Sequence, residues 1–287
     1  MCIHYEPLDL DLDLDYASFP GIVARVNEND ENVKRIRSGV TYFGWEAAQI
    51  IAGALTCNTY VTYLRLGNNI GDGGAEALAR MLEHNTTLKV LDLSGNSSIT
   101  ARGVTFLANA LKKNTTLTTL ILSMTNVKQK ACVALSSMLA VNETLTTLDV
   151  SCNNIGDRGV KALLEFIRKS NHSLTTLSIA NNIITSAGAN VLAETVRDNT
   201  TLTSIDISYN NFEVLRNITL MDALKSNYSL TTFETNIVSS EISNILFNNK
   251  YRKLYITLML LFSEYGSIVP SFVVKRIVDD ATRMMKL

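Results

Sequence analysis

The chain has 287 residues, 26 basic and 27 acidic side chains, a net charge of -1, and 46% hydrophobic residues. That length and apolar content suit one elongated domain or two compact ones. The near-neutral balance lacks the global basicity with which proteins hold phosphate backbones, and the longest apolar run, near Ile256 to Phe262, is far short of the ~20 residues a bilayer span needs. Neither a nucleic-acid partner nor a membrane span is expected.

The first sixteen residues read MCIHYEPLDLDLDLDY. They are acidic and lack a basic segment followed by an apolar run, so they do not form a signal peptide. Leu8, Leu10, Leu12 and Leu14 alternate with Asp9, Asp11, Asp13 and Asp15, which predicts a strand with one apolar and one acidic face. The acidic ladder suits a solvated edge that discourages aggregation, or a cation, although the glycine and spacing of an EF-hand loop are missing. Phe19 to Arg37 is predicted helical, leading into a first, degenerate repeat. Trp45, the single tryptophan, falls in the loop before the next helix beside Tyr42 and Phe43. There it either packs the cap or serves as a contact for a partner.

From residue 33 three apolar columns run in step. The first is Val33, Val61, Leu88, Leu117, Leu145, Leu174, Leu202 and Leu230. Three residues later come Ile36, Leu64, Leu91, Leu120, Leu148, Leu177, Ile205 and Phe233, and two further on Leu66, Leu93, Leu122, Val150, Ile179 and Ile207. Each unit reads L-x-x-L-x-L-x-x-N-x-I, then a small residue, then a helical stretch. The L-x-L segment alternates and predicts a short strand. Pairs four apart, such as Leu78 with Leu82 and Leu135 with Leu139, predict one face of a helix. Gly74, Gly103, Gly159 and Gly188, with Ala47 and Ala131 in the same slot, point to a tight turn into the helix or to close helix packing.

Asparagine recurs at two places. Asn96, Asn153, Asn182 and Asn210 follow the strand, where an inward amide satisfies backbone groups left open by the departing chain. Asn68 and Asn69 compete for this slot in the first full repeat, and Thr125 takes it in the third. Asn58, Asn85, Asn114, Asn142, Asn171, Asn199 and Asn227 follow the helix, where a left-handed cap is expected. Several of the latter, including Asn85, Asn114 and Asn199, open Asn-x-Ser/Thr triplets. Glycans at such regular positions would crowd one another. The four cysteines, Cys2, Cys57, Cys132 and Cys152, show no CxxC spacing and read as reduced thiols. Both features favour a reducing cytosol.

The segment Leu145 to Gly159, L-x-x-L-D-L-S-x-N-x-I-x-x-x-G in form, resembles the long leucine-rich repeat of ribonuclease inhibitor and of intracellular innate-immune receptors. The resemblance spans roughly Val33 to Ser239. The phrase NTTLTTL also resembles leucine-rich-repeat effectors that intracellular bacteria such as Legionella inject into host cells. The fold class these features imply is α/β, a leucine-rich-repeat horseshoe with a concave parallel sheet, outer helices and a helical C-terminal cap. The expected divisions are an N-terminal cap (1–32), a solenoid of seven to eight repeats (33–239) and a cap (240–287). Beyond Thr235 the repeat pattern dissolves into about three helices, with breaks near Asn248–Lys250 and Gly266–Pro270. There Leu254, Leu258 and Leu261 are apolar enough to seal the last repeat.

Such a shape exposes the residues between the leucines. The central column runs Arg37, Arg65, Asp92, Ile121, Asp149, Ser178, Asp206, Glu234, from basic to acidic, and beside it run Arg35, Tyr63, Val90, Thr119, Thr147, Thr176, Ser204, Thr232. Met124, Cys152 and Tyr209 lie at the strand exits. The expected partner-binding residues are Arg37, Tyr63, Arg65, Asp92, Ile121, Met124, Asp149, Asp206, Tyr209 and Glu234, with Tyr63, Arg65 and Tyr209 foremost because aromatic and Arg anchors carry most interface energy. Two structural alternatives stand beside these: Arg65 and Asp92, on adjacent strands, pair with each other, and Tyr63 lies flat on the cap. His4, His84 and His172 belong to no catalytic motif, Cys152 has no histidine on the strands to serve as its base, and the last 47 residues leave no room for a ligase domain. A non-enzyme without cofactor or metal is therefore expected. It would be monomeric when free and bind a folded protein, either a host protein or another bacterial effector. It would act as an inhibitor or, alternatively, an adaptor. An effector would be translocated into the host cytosol without a classical signal peptide.

Overall fold

The computed structural model describes residues 10–14, 17–38, 44–67, 69–169 and 171–250. Nine parallel strands form one sheet in strict chain order: β1 (Leu10–Leu14), β2 (Val33–Ser38), β3 (Tyr63–Arg65), β4 (Val90–Asp92), β5 (Thr119–Ile121), β6 (Thr147–Asp149), β7 (Thr176–Ser178), β8 (Ser204–Asp206) and β9 (Thr232–Glu234). Between them run α1 (Phe19–Asn27), α2 (Trp45–Leu55), α3 (Gly71–Leu82), α4 (Ala101–Leu111), α5 (Gln129–Leu139), α6 (Gly156–Lys169), α7 (Ser186–Asp198) and α8 (Ile218–Ser226). Each helix from α1 to α8 packs on the next. This is a leucine-rich-repeat α/β solenoid. Strands repeat at about 4.8 Å and helices are about 10 Å wide, so the stack curves with the sheet inside.

The apolar columns form its core. Leu64, Leu91, Leu120, Leu148, Leu177 and Ile205 are all 0% exposed and stand opposite one another in register. Burying each such side chain contributes about 1.5–3 kcal/mol. A three-residue strand offers few backbone bonds of its own, so its position depends on this stacking.

The glycines expected to precede the helices lie inside them and serve close packing. A Cβ on Gly103 would stand 2.5 Å from Asp72 Oδ1, and one on Gly188 2.5 Å from Asp157 Oδ1. Each aspartate reaches across from the preceding repeat to cap the next helix. Asp72 Oδ1 accepts from the amides of Thr100 (2.7 Å) and Gly103 (2.9 Å), and Oδ2 from Thr100 Oγ1 (2.7 Å). Asp157 does the same for Thr185 and Gly188.

Several expectations need correction. Residues 19–37 are not one helix: α1 ends at Asn27, Asn29 turns left-handed (φ 56°), and residues 33–38 form β2. Val33 and Ile36 decide this, because both are fully buried in the repeat columns. The asparagines after the helices are not left-handed caps. Asn199 and Asn227 have extended backbone (φ -85° and -83°), and the column works through its side chains. Asn142 Nδ2 donates to Leu111 O (2.7 Å) and Asn114 O (3.2 Å), while its Oδ1 accepts from Thr144 N (3.0 Å) and Leu145 N (2.7 Å). Trp45 is the first residue of α2 rather than a loop residue and is half exposed. Residues 240–250 are helical throughout, so no break falls at Asn248–Lys250. Tyr42, Phe43, Asn68, the 266–270 break and Leu254, Leu258 and Leu261 lie outside the described residues.

Candidate functional site

The strand register brings the central column onto one face. Arg37, Arg65, Asp92, Ile121, Asp149, Ser178, Asp206 and Glu234 are successive partners across β2 to β9. β1 adds one step before them: Asp13 pairs in register with Arg37, and Asp11 with Arg35. The column therefore does not begin basic; an acidic strand stands outside the first arginines.

The N-terminal part of the face is largely engaged with itself. The guanidinium of Arg35 lies 3.9 Å from the centre of the Tyr63 ring, and that of Arg37 5.5 Å from it. Tyr63 thus packs against the arginines of β2. Arg65 Nε lies 3.5 Å from Asp92 Oδ2, and Asp92 is only 5% exposed. The other carboxylate oxygen of Asp92 accepts from the amide and hydroxyl of Ser94.

Beyond Thr119 the strands carry no Lys or Arg. Asp149 and Asp206 are half-buried, Ile121 is half-buried, and Glu234 is exposed. Asp149 Oδ1 accepts from Ser151 N (2.8 Å), and Asp206 Oδ1 from Ser208 N (2.9 Å). The triplets Asp92-Leu93-Ser94, Asp149-Val150-Ser151 and Asp206-Ile207-Ser208 therefore form one repeated turn at the strand exit. The D-x-S spacing is the signal for this turn in the sequence, beyond the charge of the column.

Three residues past the strand end the backbone turns left-handed in five repeats, at Gly95 (φ 81°), Met124 (54°), Cys152 (54°), Asn181 (51°) and Tyr209 (57°). This conformation extends the backbone ladder past the strands: Met124 N donates to Ser151 O (3.1 Å) and Cys152 N to Ala180 O (2.9 Å). It costs an L-residue about 1–2 kcal/mol, yet only one of the five positions is glycine. Met124 is 60% exposed and Tyr209 72%, so neither gains packing in return. Cys152 is exposed too, and its Sγ accepts from Asn181 Nδ2 (3.6 Å). Cys132 is buried beneath the helices, and loss of hydration pushes its thiol up from about 9.0 to about 12. Among the described residues no three His, Cys, Asp or Glu side chains gather as metal ligands.

The site is thus the exposed strand face of a repeat solenoid, bordered by an exposed rim, in a scaffold class that generally binds proteins. A family model described as "Leucine Rich repeat" matches residues 57–79, 84–108, 141–164, 170–193 and 198–213. Two solved structures are similar over about half of the chain. The actin-binding site 2 of leiomodin-1 shares 17% identity over 55% of this chain and 95% of its own, at a TM-score of 0.48. The tropomodulin C-terminal domain of Caenorhabditis elegans shares 20% identity over 54% of this chain and 98% of its own, at 0.44. At these values no partner follows from the likeness. No described helix is long and apolar enough to cross a membrane.

Proposed function

We propose that the chain is a protein-binding module whose contact surface is the C-terminal half of the strand face, β5 to β9, with the rim beside it. The observation that supports it best is the pair Met124 and Tyr209: large, exposed side chains kept on left-handed backbone where Gly95 shows that glycine fits. Backbone strain without compensating packing tends to persist where function requires the side chain. Ile121, Asp149, Asp206 and Glu234 complete the surface. Arg37, Tyr63, Arg65 and Asp92, engaged with one another or with neighbouring strands, take a positioning role at its margin. A folded partner lying across this face would have its own surface occluded, which supports inhibition of that partner as the mode of action. The effector-like reading rests on the Thr/Asn-rich repeat phrasing alone.

The test is affinity capture from host-cell and bacterial lysates, followed by calorimetry with the captured protein. Met124→Ala, Asp149→Asn, Asp206→Asn and Tyr209→Ala together keep the Oδ1 acceptors of the two strand-exit turns, so they should keep the native melting temperature and weaken binding at least a hundredfold. Unchanged affinity in that variant would exclude the strand face as the contact surface.

A further inference from the structure

The asparagines that follow the strands form a relay. Asn153 Oδ1 accepts from Val127 N (3.1 Å), and Asn182 Oδ1 accepts from Asn153 N (3.2 Å) and Ile155 N (3.4 Å). Asn210 Oδ1 accepts from Asn182 N (2.9 Å) and Ile184 N (3.0 Å). The amide nitrogens complete each step. The carbonyl of Val150 accepts from Nδ2 of both Asn153 (3.0 Å) and Asn182 (2.9 Å). Every inner slot therefore offers backbone N–H donors and a carbonyl acceptor to one primary carboxamide.

The relay stops one repeat before the sheet does. The residue in step, 28 past Asn210, is Val238, which is 100% exposed. The amides of Asn210 and Phe212 hold the places that Asn182 and Ile184 hold in the preceding repeat, but among the described residues no carboxamide oxygen reaches them. The carbonyls of Val150 and Ile179 each accept a carboxamide from the following repeat, Asn182 Nδ2 (2.9 Å) and Asn210 Nδ2 (3.0 Å), whereas among the described residues that of Ile207 accepts only from Asn210 of its own repeat (2.9 Å). Asn236 turns aside to the amide of Tyr209. A cavity of about 410 Å³ stands at this place, lined by Ile207, Asn210, Phe212, Val214, Thr235 and Ile237. β9 beside it is the last strand of the sheet among the described residues.

We propose that this cavity is a carboxamide-recognition site, filled by an asparagine side chain from an extended segment of a partner protein that pairs in parallel with β9. Strand addition supplies the main-chain bonds and the slot supplies specificity. A site built of unpaired donors and acceptors rejects an apolar isostere, because filling it with carbon leaves those groups buried and unmet. The repeats define the ligand: in each, the asparagine stands four residues past the strand end, as Asn153 does past Asp149 and Asn182 past Ser178. Two other occupants fit less well. Residues 251–287 contain no Asn or Gln. A second copy stacking through β1 would bring Asp13 into register with Glu234 and Ala17, not asparagine, to the position four residues on. The site lies apart from β5 and β6, so Asp149 and Met124 variants that test the strand face leave it intact.

The probe is a synthetic peptide with the sequence of residues 201–211, a strand followed by its asparagine, titrated into the ¹⁵N-labelled full chain. The Asn210, Phe212 and Asn236 amide resonances should move together and saturate, and a peptide carrying Asn210→Leu should bind about tenfold more weakly. In a second arm Val238→Asn supplies the carboxamide from the chain itself, which should raise Tm and abolish peptide binding. Three results overturn the proposal: no shift at millimolar peptide, equal affinity for both peptides, or Val238→Asn leaving Tm and binding unchanged. Slow hydrogen exchange at Asn210 and Phe212 before any peptide is added would also overturn it, by showing that residues 251–287 already fill the site.

Discussion

Arg65 Nε stands 3.5 Å from Asp92 Oδ2 across the β3–β4 boundary, and the two ends of this pair live in different surroundings. The arginine side chain is 48% exposed and the aspartate side chain 8%. The aspartate also holds the amide and hydroxyl of Ser94, so it closes the turn that ends the strand. An exposed ion pair is worth about 0–1 kcal/mol. A buried amide left without its acceptor costs about 1–3 kcal/mol. Arg65→Ala should therefore lower the unfolding free energy by no more than about 0.5 kcal/mol, and Asp92→Ala by about 2 kcal/mol. Urea denaturation of the two variants checks this; equal losses would mean that the pair, and not the turn, is what Asp92 provides.

The cross-repeat caps predict coupling. Asp72 and Gly103 are one device, since the carboxylate sits where a Cβ on residue 103 would go. Asp72→Ala loses the cap of α4, at about 1–2 kcal/mol. Gly103→Ala displaces the same carboxylate and crowds Ile99 and Ala75 as well. The double variant should cost at least about 1 kcal/mol less than the two single changes summed. Strict additivity in thermal or chemical unfolding would show that the two residues act separately.

The repeat frame was legible because three buried columns must stay in step for the sheet to stack, and Leu64 through Ile205 carry that constraint openly. The inward asparagines were legible for the same reason. What the sequence hid depends on which of two local conformations wins. Val33 to Ser38 reads equally as helix or strand, and only burial of Val33 and Ile36 against the next repeat selects the strand. The aspartate column reads as surface charge until the serine two residues on is seen to bind it. Met124 and Tyr209 carry no sign of left-handed backbone, because that conformation goes with amide bonds to the next repeat, from Met124 to Ser151 O and from Tyr209 to Asn236 Oδ1. Val238 was legible as a gap in the asparagine column, but its consequence needed the cavity beside it.

That left-handed conformation yields a trade between stability and binding. Glycine relieves the left-handed strain of about 1–2 kcal/mol, and gives back about 0.5–1 kcal/mol through the freedom it adds to the unfolded chain. Met124→Gly and Tyr209→Gly should each raise the unfolding free energy by about 0.5 kcal/mol while weakening partner binding. Gly95→Ala is the control and should lose stability. If both glycine variants destabilise the fold, these side chains are held by packing and the rim loses its claim to function.

Cys132 sets an alkaline limit. Burial raises its thiol from about 9.0 to about 12, so between those values the native chain keeps a proton that the unfolded chain releases. The unfolded state then binds fewer protons, and stability falls with rising pH by up to about 1.4 kcal/mol per unit from this group. Cys132→Ala should flatten the pH dependence of Tm above pH 9.0. In the native wild type a thiol reagent at neutral pH should modify Cys57 and Cys152, which are exposed, and spare Cys132. Rapid modification of Cys132 would mean that the helices open far more readily than their packing implies.

The outer asparagines restrict where the chain can fold. Asn85, Asn114, Asn142, Asn171, Asn199 and Asn227 each open an Asn-x-Ser/Thr triplet, and each is at most 7% exposed. Their Nδ2 atoms, the atoms a glycan would occupy, donate to the preceding repeats: Asn85 to Leu55 O (2.7 Å), Asn171 to Leu139 O (2.8 Å), Asn227 to Val196 O (2.6 Å). A sugar on any of them removes a buried donor and has no volume to enter, so glycosylation and this fold exclude each other. In a eukaryotic secretory route such triplets are acceptors, and transfer to the chain before it folds would trap it unfolded. Expressed behind a cleavable signal peptide in mammalian cells, the chain should be retained in glycosylated, protease-sensitive form. Tunicamycin, or expression in bacterial cytosol, should yield protein with the native melting temperature. Secreted chain that carries glycans at these positions and still melts natively would remove the asparagine ladder from the account of what holds the repeats together.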